Sequence, residues 1–325
     1  VKREFAISIV VFLALLVGLN GLFDYKLPYL GAVTLYVGIH FVVSLATREK
    51  RRAAISQTPG AAVPDWPTSG PIGRLGQKGL VAAFTVSGLL CLLNPFQVVQ
   101  FVRQALGNAR LRAKPAGPAE SALTYALPFD GEWFVYNGGV TREDSHSWDV
   151  LTQRYAYDFV VVDRELKRHD GRGTRRAEYF CHGRAIRAAA SGVVVAVEDR
   201  IGEAPFVGYG IVDFCARSFV GNHVVIRHAA SEYGFYAHLL AGQVSVRVGD
   251  TVERGQVIGR CGHSGHSSEP HLHFHVQAGA DFFTSAGVPV RFAGVLVDGQ
   301  PAAVGACLRL GQRVASIEEQ HGSAR

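Results

Sequence analysis

The chain has 325 residues, 48% of them hydrophobic, and a formal net charge of +6, which leaves room for about two domains of ordinary size. The charge is unevenly spread: residues 1–115 hold 13 Lys/Arg against 4 Asp/Glu, and residues 116–325 hold 20 against 23. A nucleic-acid-binding protein needs its basic excess on the folded domain, so nucleic acid is excluded as a partner; membrane orientation is the better account of the basic loops.

Residues 1–102 read as a membrane region with two to three transmembrane helices. Phe5 to Phe23 is a nearly unbroken apolar run behind Lys2 and Arg3, and no small-x-small cleavage motif follows it. Leu27 to Ala46 is a second charge-free run of about the 20 residues a bilayer demands. Its His40 is expected to pack or hydrogen-bond between helices. The segment Thr47–Lys78 is basic and rich in Pro and Gly, as a cytoplasmic connector would be. Leu80 to Val102 is a third, weaker run that Asn94-Pro95 would kink. Three spans with the N-terminus inside make a multi-pass protein of the cytoplasmic membrane, its C-terminal domain outside the cytoplasm. Arg103, Arg110, Arg112 and Lys114 then lie on the outer side, against the charge rule.

Residues 103–125 read as a linker, 126–312 as a folded domain and 313–325 as a polar tail. In the domain the pattern changes to short β-type runs punctuated by Gly. Gly192–Val197, His223–Arg227, Phe235–His238, Val244–Val248, Gln256–Gly259 and His271–Val276 are expected strands, which argues for an all-β barrel or sandwich. Asp163–His182 is a charged surface excursion. Cys91 sits in an apolar run as a small hydrophobe. Cys181, Cys215, Cys261 and Cys307 are an even number, suited to disulfides outside the cytoplasm, and no C-x-x-C supports a thiolate metal site.

The chemistry concentrates between Gly221 and Val276. On a strand, His271 and His273 point to one face, and His275 continues the row. His238 lies on an earlier strand, and the loop Gly262-His-Ser-Gly-His-Ser267 is built for tight turns. Imidazoles are the commonest zinc ligands, and a catalytic zinc takes about three protein ligands, with a carboxylate the expected third type.

Four motifs carry a family resemblance: Gly221-Asn-His-Val-Val-Ile-Arg-His228, Tyr236-Ala-His-Leu239, Val248-Gly-Asp-Thr-Val-Glu-Arg-Gly-Gln-Val-Ile-Gly259, and Gly262–Ser267 followed by Pro270-His-Leu-His-Phe274. Over roughly residues 130–280 the chain resembles the M23 (lysostaphin/LytM-type) zinc metallopeptidases. The resemblance implies an all-β catalytic domain of the duplicated hybrid-motif, barrel-sandwich type, here behind the α-helical membrane region. It also implies Zn2+ as cofactor, bound by His273 and Asp158, with His238 and His271 catalytic. Where the common pattern has a histidine four residues before the aspartate, this chain has Arg154. Some members instead carry Gln-Arg-Tyr-Ala-x-Asp behind a more distant histidine, which makes His146 the expected first ligand. Asp144 and Asp149 flank it closely enough to support its second nitrogen, and Arg154 is expected to turn away toward an acidic neighbour. His263 and His266 are expected on the groove rim, His223 and His228 on or beside a strand, and His169, His182 and His321 in solvated loops.

The implied function is a membrane-anchored, zinc-dependent endopeptidase that hydrolyses the peptide cross-links of bacterial peptidoglycan. The alternative is a degenerate domain that binds cell wall or a partner amidase without cutting. A lipoyl or biotinyl carrier, suggested by Gly-Asp-x-Val-x-x-Gly-Gln, fails because no lysine follows Lys167.

Overall fold

The computed structural model describes residues 70–113 and 121–317, together with isolated positions Val11 and Ile39. The first two expected spans, the connector up to residue 69, His40 and His321 fall outside the described residues.

A tight turn over Pro71–Leu75 leads into helix α1, Gly76–Leu90, which ends in another such turn over Cys91–Leu93. Asn94 then takes an extended conformation (φ −98°, ψ 110°), as a residue before proline must. Pro95 opens helix α2, Pro95–Ala113, where its missing N–H costs nothing, and Asn94 Oδ1 caps the new helix by accepting the Phe96 N–H at 3.0 Å. Among the described residues no single helix is long and apolar enough to cross a membrane; the pair Ala82–Leu93 and Pro95–Ala113 passes together but is bent by 100°. The expected kink at Asn94-Pro95 is thus a full break. It turns the third apolar run into two helices that lie against the domain.

The linker expectation is corrected with it. Residues 103–113 continue α2, because its Gln and Asn side chains find backbone partners on the domain. Ser121–Tyr125 already belong to the core edge: Tyr125 is fully buried, pairs with Phe292 and donates its hydroxyl to Glu232 at 2.6 Å.

The domain is β-rich and antiparallel, as its short Gly-punctuated runs imply. One large sheet runs, in order, β12 (Gln300–Pro301), β11 (Val295–Val297), β13 (Arg313–Ser316), β1 (Trp133–Asn137), β2 (Tyr157–Val160), β9 (Leu272–Gln277), β6 (Glu232–Leu239), β5 (Asn222–Ala229), β4 (Gly192–Glu198) and β7 (Thr251–Val252), with β10 (Gly287–Val288) added to β9; a separate small pair joins β3 (Ala185–Arg187) to β8 (Val257–Arg260). The strands that matter for the site are β1, β2, β5, β6 and β9. Alternation sorts each strand's side chains onto two faces. Tyr157, Phe159, Tyr236, Leu272, Phe274 and Val276 enter one core, joined by Ile186 and Ile258 from the small pair. Asp158, His273 and His275 take the opposite face, and that face is covered too, so every residue of β9 is buried.

Two further expectations change. Val244–Val248 forms no strand: one backbone bond, Ser245 N–H to Ile258 O at 3.1 Å, ties it to β8, and no ladder develops. The polar tail begins later than expected, since Arg313–Ser316 is strand β13, placed between β11 and β1 with Val314 fully buried opposite Trp133. The expected disulfides are not formed; all five cysteines are free thiols, with Cys181, Cys261 and Cys91 buried.

Candidate metal centre and catalytic groove

Three adjacent strands bring the candidate residues together. Asp158 on β2 stands opposite His273 on β9, and His273 stands opposite Ala237 on β6, one residue before His238. His271 lies just ahead of β9, two residues from His273 and on the same face. His273 Nδ1 is 2.9 Å from Asp158 Oδ1, and His271 Nε2 is 3.7 Å from the same oxygen. His146, from the loop after β1, places Nδ1 3.5 Å from Asp158 Oδ2. His146, Asp158 and His273 offer donor atoms within 4.8 Å of one another.

Two β-bulges aim this cluster. On β1 the register slips by one residue between Val135 and Asn137 opposite β2. The extra residue brings Asn137 against Asp158, and its amide donates to Oδ2 at 3.0 Å. On β6 an extra residue falls between Tyr236 and Leu239 opposite β5, and His238 there has φ +60°. That left-handed backbone is uncommon for a side chain with a Cβ and re-aims the imidazole into the groove.

The partners fix which nitrogens carry protons. His238 Nδ1 lies 2.8 Å from the Ser264 carbonyl and His271 Nδ1 2.8 Å from the Glu269 carbonyl. A carbonyl can only accept, so both Nδ1 atoms donate and both Nε2 atoms keep the lone pair when the rings are neutral. Burial, with His271 and His273 nearby, holds the His238 pKa well below the ordinary histidine value, so this ring is neutral at pH 7. Burial works against the charged Asp158 carboxylate, but His146 first, then His273 and His271, outweigh it and hold its pKa well below the usual range. His275 lies behind His273, its Nδ1 3.1 Å from His273 Nε2 and its ring stacked on Phe235 at 4.8 Å; burial keeps it neutral as well.

A zinc ion suits this donor set. Two imidazoles and one ionised carboxylate, nearly buried, match a catalytic site that leaves a position open. Ligand histidines need a partner on the second nitrogen, and His275 supplies one to His273 as Asn137 does to Asp158. The groove, about 230 Å³, is lined by His146, Asp158, His238, His271 and His273 on the domain side, and Phe84 of α1 reaches its wall.

The surroundings of His146 differ from expectation. Arg154 does turn away, but onto Trp148: its Nε donates to the Trp148 carbonyl at 3.0 Å and its guanidinium lies 4.8 Å over the ring, with no acid involved. Asp144 takes the Thr141 hydroxyl and Arg309, and Asp149 takes Arg142. The loop is instead held by Ser145 and Ser147, whose hydroxyls donate to the Arg154 and Gln153 carbonyls. His266 lines the groove, whereas His263 is fully buried, 3.0 Å from the Phe206 carbonyl. His182 pairs with Glu203 at 2.9 Å and His169 accepts the Gly70 N–H at 2.8 Å, so neither is a solvated loop residue. Nor is the 163–182 excursion wholly at the surface. Its Arg168 is buried, pairs with Glu269 at 2.8 Å and covers Tyr136, bracing the residue whose carbonyl orients His271. Asn137, Ser264 and the Arg168–Glu269 pair escaped sequence reasoning, and only Ser264 carried a signal, its place in the Gly262–Ser267 turn.

Residues 177–285, which include His238, His271 and His273, match the family described as Peptidase family M23. The chain carries an M23 peptidase domain. The matched stretch starts after His146 and Asp158, which the geometry joins to it. The chain is 40% identical over 189 residues to the peptidoglycan DD-endopeptidase ShyA of Vibrio cholerae, covering 55% of this chain and 39% of that protein. It is 32% identical over 155 residues to lysostaphin of Staphylococcus simulans, covering 47% of this chain and 27% of lysostaphin. The chain therefore spans well under half the length of either relative. Among solved structures, a zinc-containing peptidase from Vibrio cholerae aligns at TM-score 0.31 with 20% identity, covering 51% of this chain and 39% of that one. Pseudoalterin, an M23 metalloprotease from the deep sea, aligns at TM-score 0.33 with 17% identity, covering 60% and 96%.

Proposed function

We propose that this chain is a zinc-dependent endopeptidase that hydrolyses peptide cross-links of bacterial peptidoglycan. We further propose that it is a multi-pass protein of the cytoplasmic membrane with its groove on the outer side, and that its domain is of the duplicated hybrid-motif, barrel-sandwich type. The carrying observation is one buried carboxylate, Asp158, bracketed by His146 and His273, with two oriented imidazoles, His238 and His271, beside it. The peptidoglycan substrate draws support from the 40% identical relative, a peptidoglycan DD-endopeptidase. The membrane reading draws support from the apolar runs Phe5–Phe23 and Leu27–Ala46.

His146, Asp158 and His273 hold the metal, and His238 and His271 serve catalysis. Bound there, zinc supplies Lewis acidity, activating water at neutral pH and polarising the scissile carbonyl. His238 and His271 each present Nε2 with Nδ1 locked on a carbonyl, so either can take a proton at Nε2 without turning. Once protonated, the same Nε2–H can donate to the oxygen that gains charge or to the departing amine. Glu269, held by Arg168, keeps His271 in that orientation.

The test is to measure zinc content of the purified full chain and its digestion of purified sacculi, with released fragments identified by mass spectrometry. Stoichiometric zinc and new peptide amines are expected. Zinc-loaded protein that binds sacculi without releasing any would transfer the chain to the non-cutting alternative.

A further inference from the structure

Helix α2 is amphipathic in reverse. Its row at positions 97, 100, 104 and 108, one stripe of a helix, is Gln, Gln, Gln, Asn, and this polar stripe faces the domain. Gln97 Nε2 donates to the Asp213 carbonyl at 2.7 Å, and Gln100 both donates to the Arg217 carbonyl and accepts the Phe219 N–H at 2.8 Å. Gln104 donates to Thr152 Oγ1 at 3.2 Å, and Asn108 accepts the Leu151 N–H at 2.8 Å. Gly107 lets the helix lie flush, since a Cβ there would stand 1.8 Å from the Phe283 carbonyl oxygen. The opposite stripe is apolar and uncovered: Phe96, Val99, Val102 and Leu106 are 54%, 58%, 52% and 52% exposed. A helix facing water carries the reverse arrangement.

We infer that the outer face of α2 is a lipid-docking surface, seated in the headgroup–acyl boundary of a bilayer. This rests on the membrane reading above and names the surface that meets the membrane. Two observations choose lipid as the occupant. Residues 76–113 contain no Asp or Glu, and although Arg103 is engaged by Asp281 at 2.9 Å, Arg110 and Arg112 add positive charge to α2, so the helix complements anionic headgroups as interfacial helices do. Arg110, one turn beyond Leu106, is placed to lay its stem along the apolar stripe and its charge among phosphates. In addition, the chain ahead of this unit holds two charge-free apolar runs of bilayer length, which would deliver α2 to the membrane surface. The inward face contacts the groove wall through Phe219, which Gln100 bonds and which lines the groove. The groove thus stands about one helix diameter, ~10 Å, from the lipid-facing side.

The experiment places tryptophan at Leu106 or Val102, and as a control at Val304, which is 80% exposed and outside the helical unit. Each full chain is reconstituted into phosphatidylcholine–phosphatidylglycerol vesicles, with and without brominated acyl chains, and the wild-type signal is subtracted. Tryptophan at 102 or 106 is expected to shift to the blue and lose about half its emission to the brominated lipid, as a residue at the acyl boundary would. The control at 304 is expected to keep its emission. Protein that floats with vesicles while 102 and 106 stay unquenched overturns the inference alone. A blue shift without quenching also overturns it, because a second copy or the chain's own apolar runs would then cover the face. Protein that fails to float removes both the inference and the membrane reading.

Discussion

The two halves of the candidate metal site are held by different means. Asp158 and His273 face each other across a strand ladder, with His238 on the next strand, so backbone pairing sets their spacing. His146 comes from a loop fastened by two serine hydroxyls to neighbouring carbonyls. A ladder places side chains through many shared bonds, whereas two hydroxyls place a loop through a few, each worth about 1 kcal/mol. The strand-held half should therefore act as a template, and the loop-held half should close onto it.

The sharpest way to break that contrast is to remove ligands one at a time. Asp158→Ala and His273→Ala should abolish zinc retention and activity together, measured by metal analysis after dialysis against a chelator. His146→Ala should retain zinc better than either, since water can replace a ligand that the loop alone supplied. Equal loss in all three, with the fold intact by circular dichroism, would erase the distinction. His238→Ala should keep the metal and lower turnover by ~10²–10⁴, the range for a lost proton-transfer group. Zinc release from that variant would make His238 a ligand instead. Asn137→Ala removes the bulge-borne amide from Asp158 and should weaken zinc binding by about 10–100-fold, the usual cost of a lost outer partner. An unchanged affinity in chelator competition would show that the β1 bulge does not tune the site.

The smallest effect concerns stability and pH. His263 is fully buried, and burial pushes its pKa down to about 4 from 6.5. The unfolded chain gains this proton first, so the contribution is full above pH 6.5 and is lost as pH falls toward 4. Each pH unit in that window removes up to ~1.4 kcal/mol. His263→Gln should flatten the urea-unfolding stability against pH over the same interval, relative to the unaltered chain. Parallel slopes would show that His263 is not the titrating group.

The sequence was most legible where strand alternation and family motifs agree. His271, His273 and His238 share a face because residues two apart on a strand must, and Tyr236-Ala-His-Leu239 marked the neighbouring strand. Asp158 and His146 were legible only through the family resemblance, since no local pattern shows that β2 meets β9 across a separation of 115 residues. Asn137 was invisible for a further reason: without the bulge it would point to the other face, and nothing in Trp133–Asn137 announces a bulge. Apolarity alone suggests a span over Leu80–Val102, whereas the polar stripe at 97, 100, 104 and 108 seats α2 on the domain. The missed strand β13 has too little apolar pattern of its own, and only its pairing with β1 makes Arg313–Ser316 a strand.

Gly221 and Gly265 deserve a geneticist's eye. Both have positive φ, and they press backbone to backbone: a Cβ at Gly221 would sit 2.4 Å from the Ser264 carbonyl oxygen, and one at Gly265 would sit 2.4 Å from Gly221 nitrogen. That Ser264 carbonyl is the one that holds the His238 ring. Any ordinary side chain at either position must push away the atom that aims the imidazole. In a library selected for loss of the proposed activity, these two codons should therefore score beside those of the histidines themselves, although neither glycine has a functional group. A survey of inactive alleles that looked only for chemically competent residues would misfile them as folding mutants, even if the protein accumulated normally and kept its zinc.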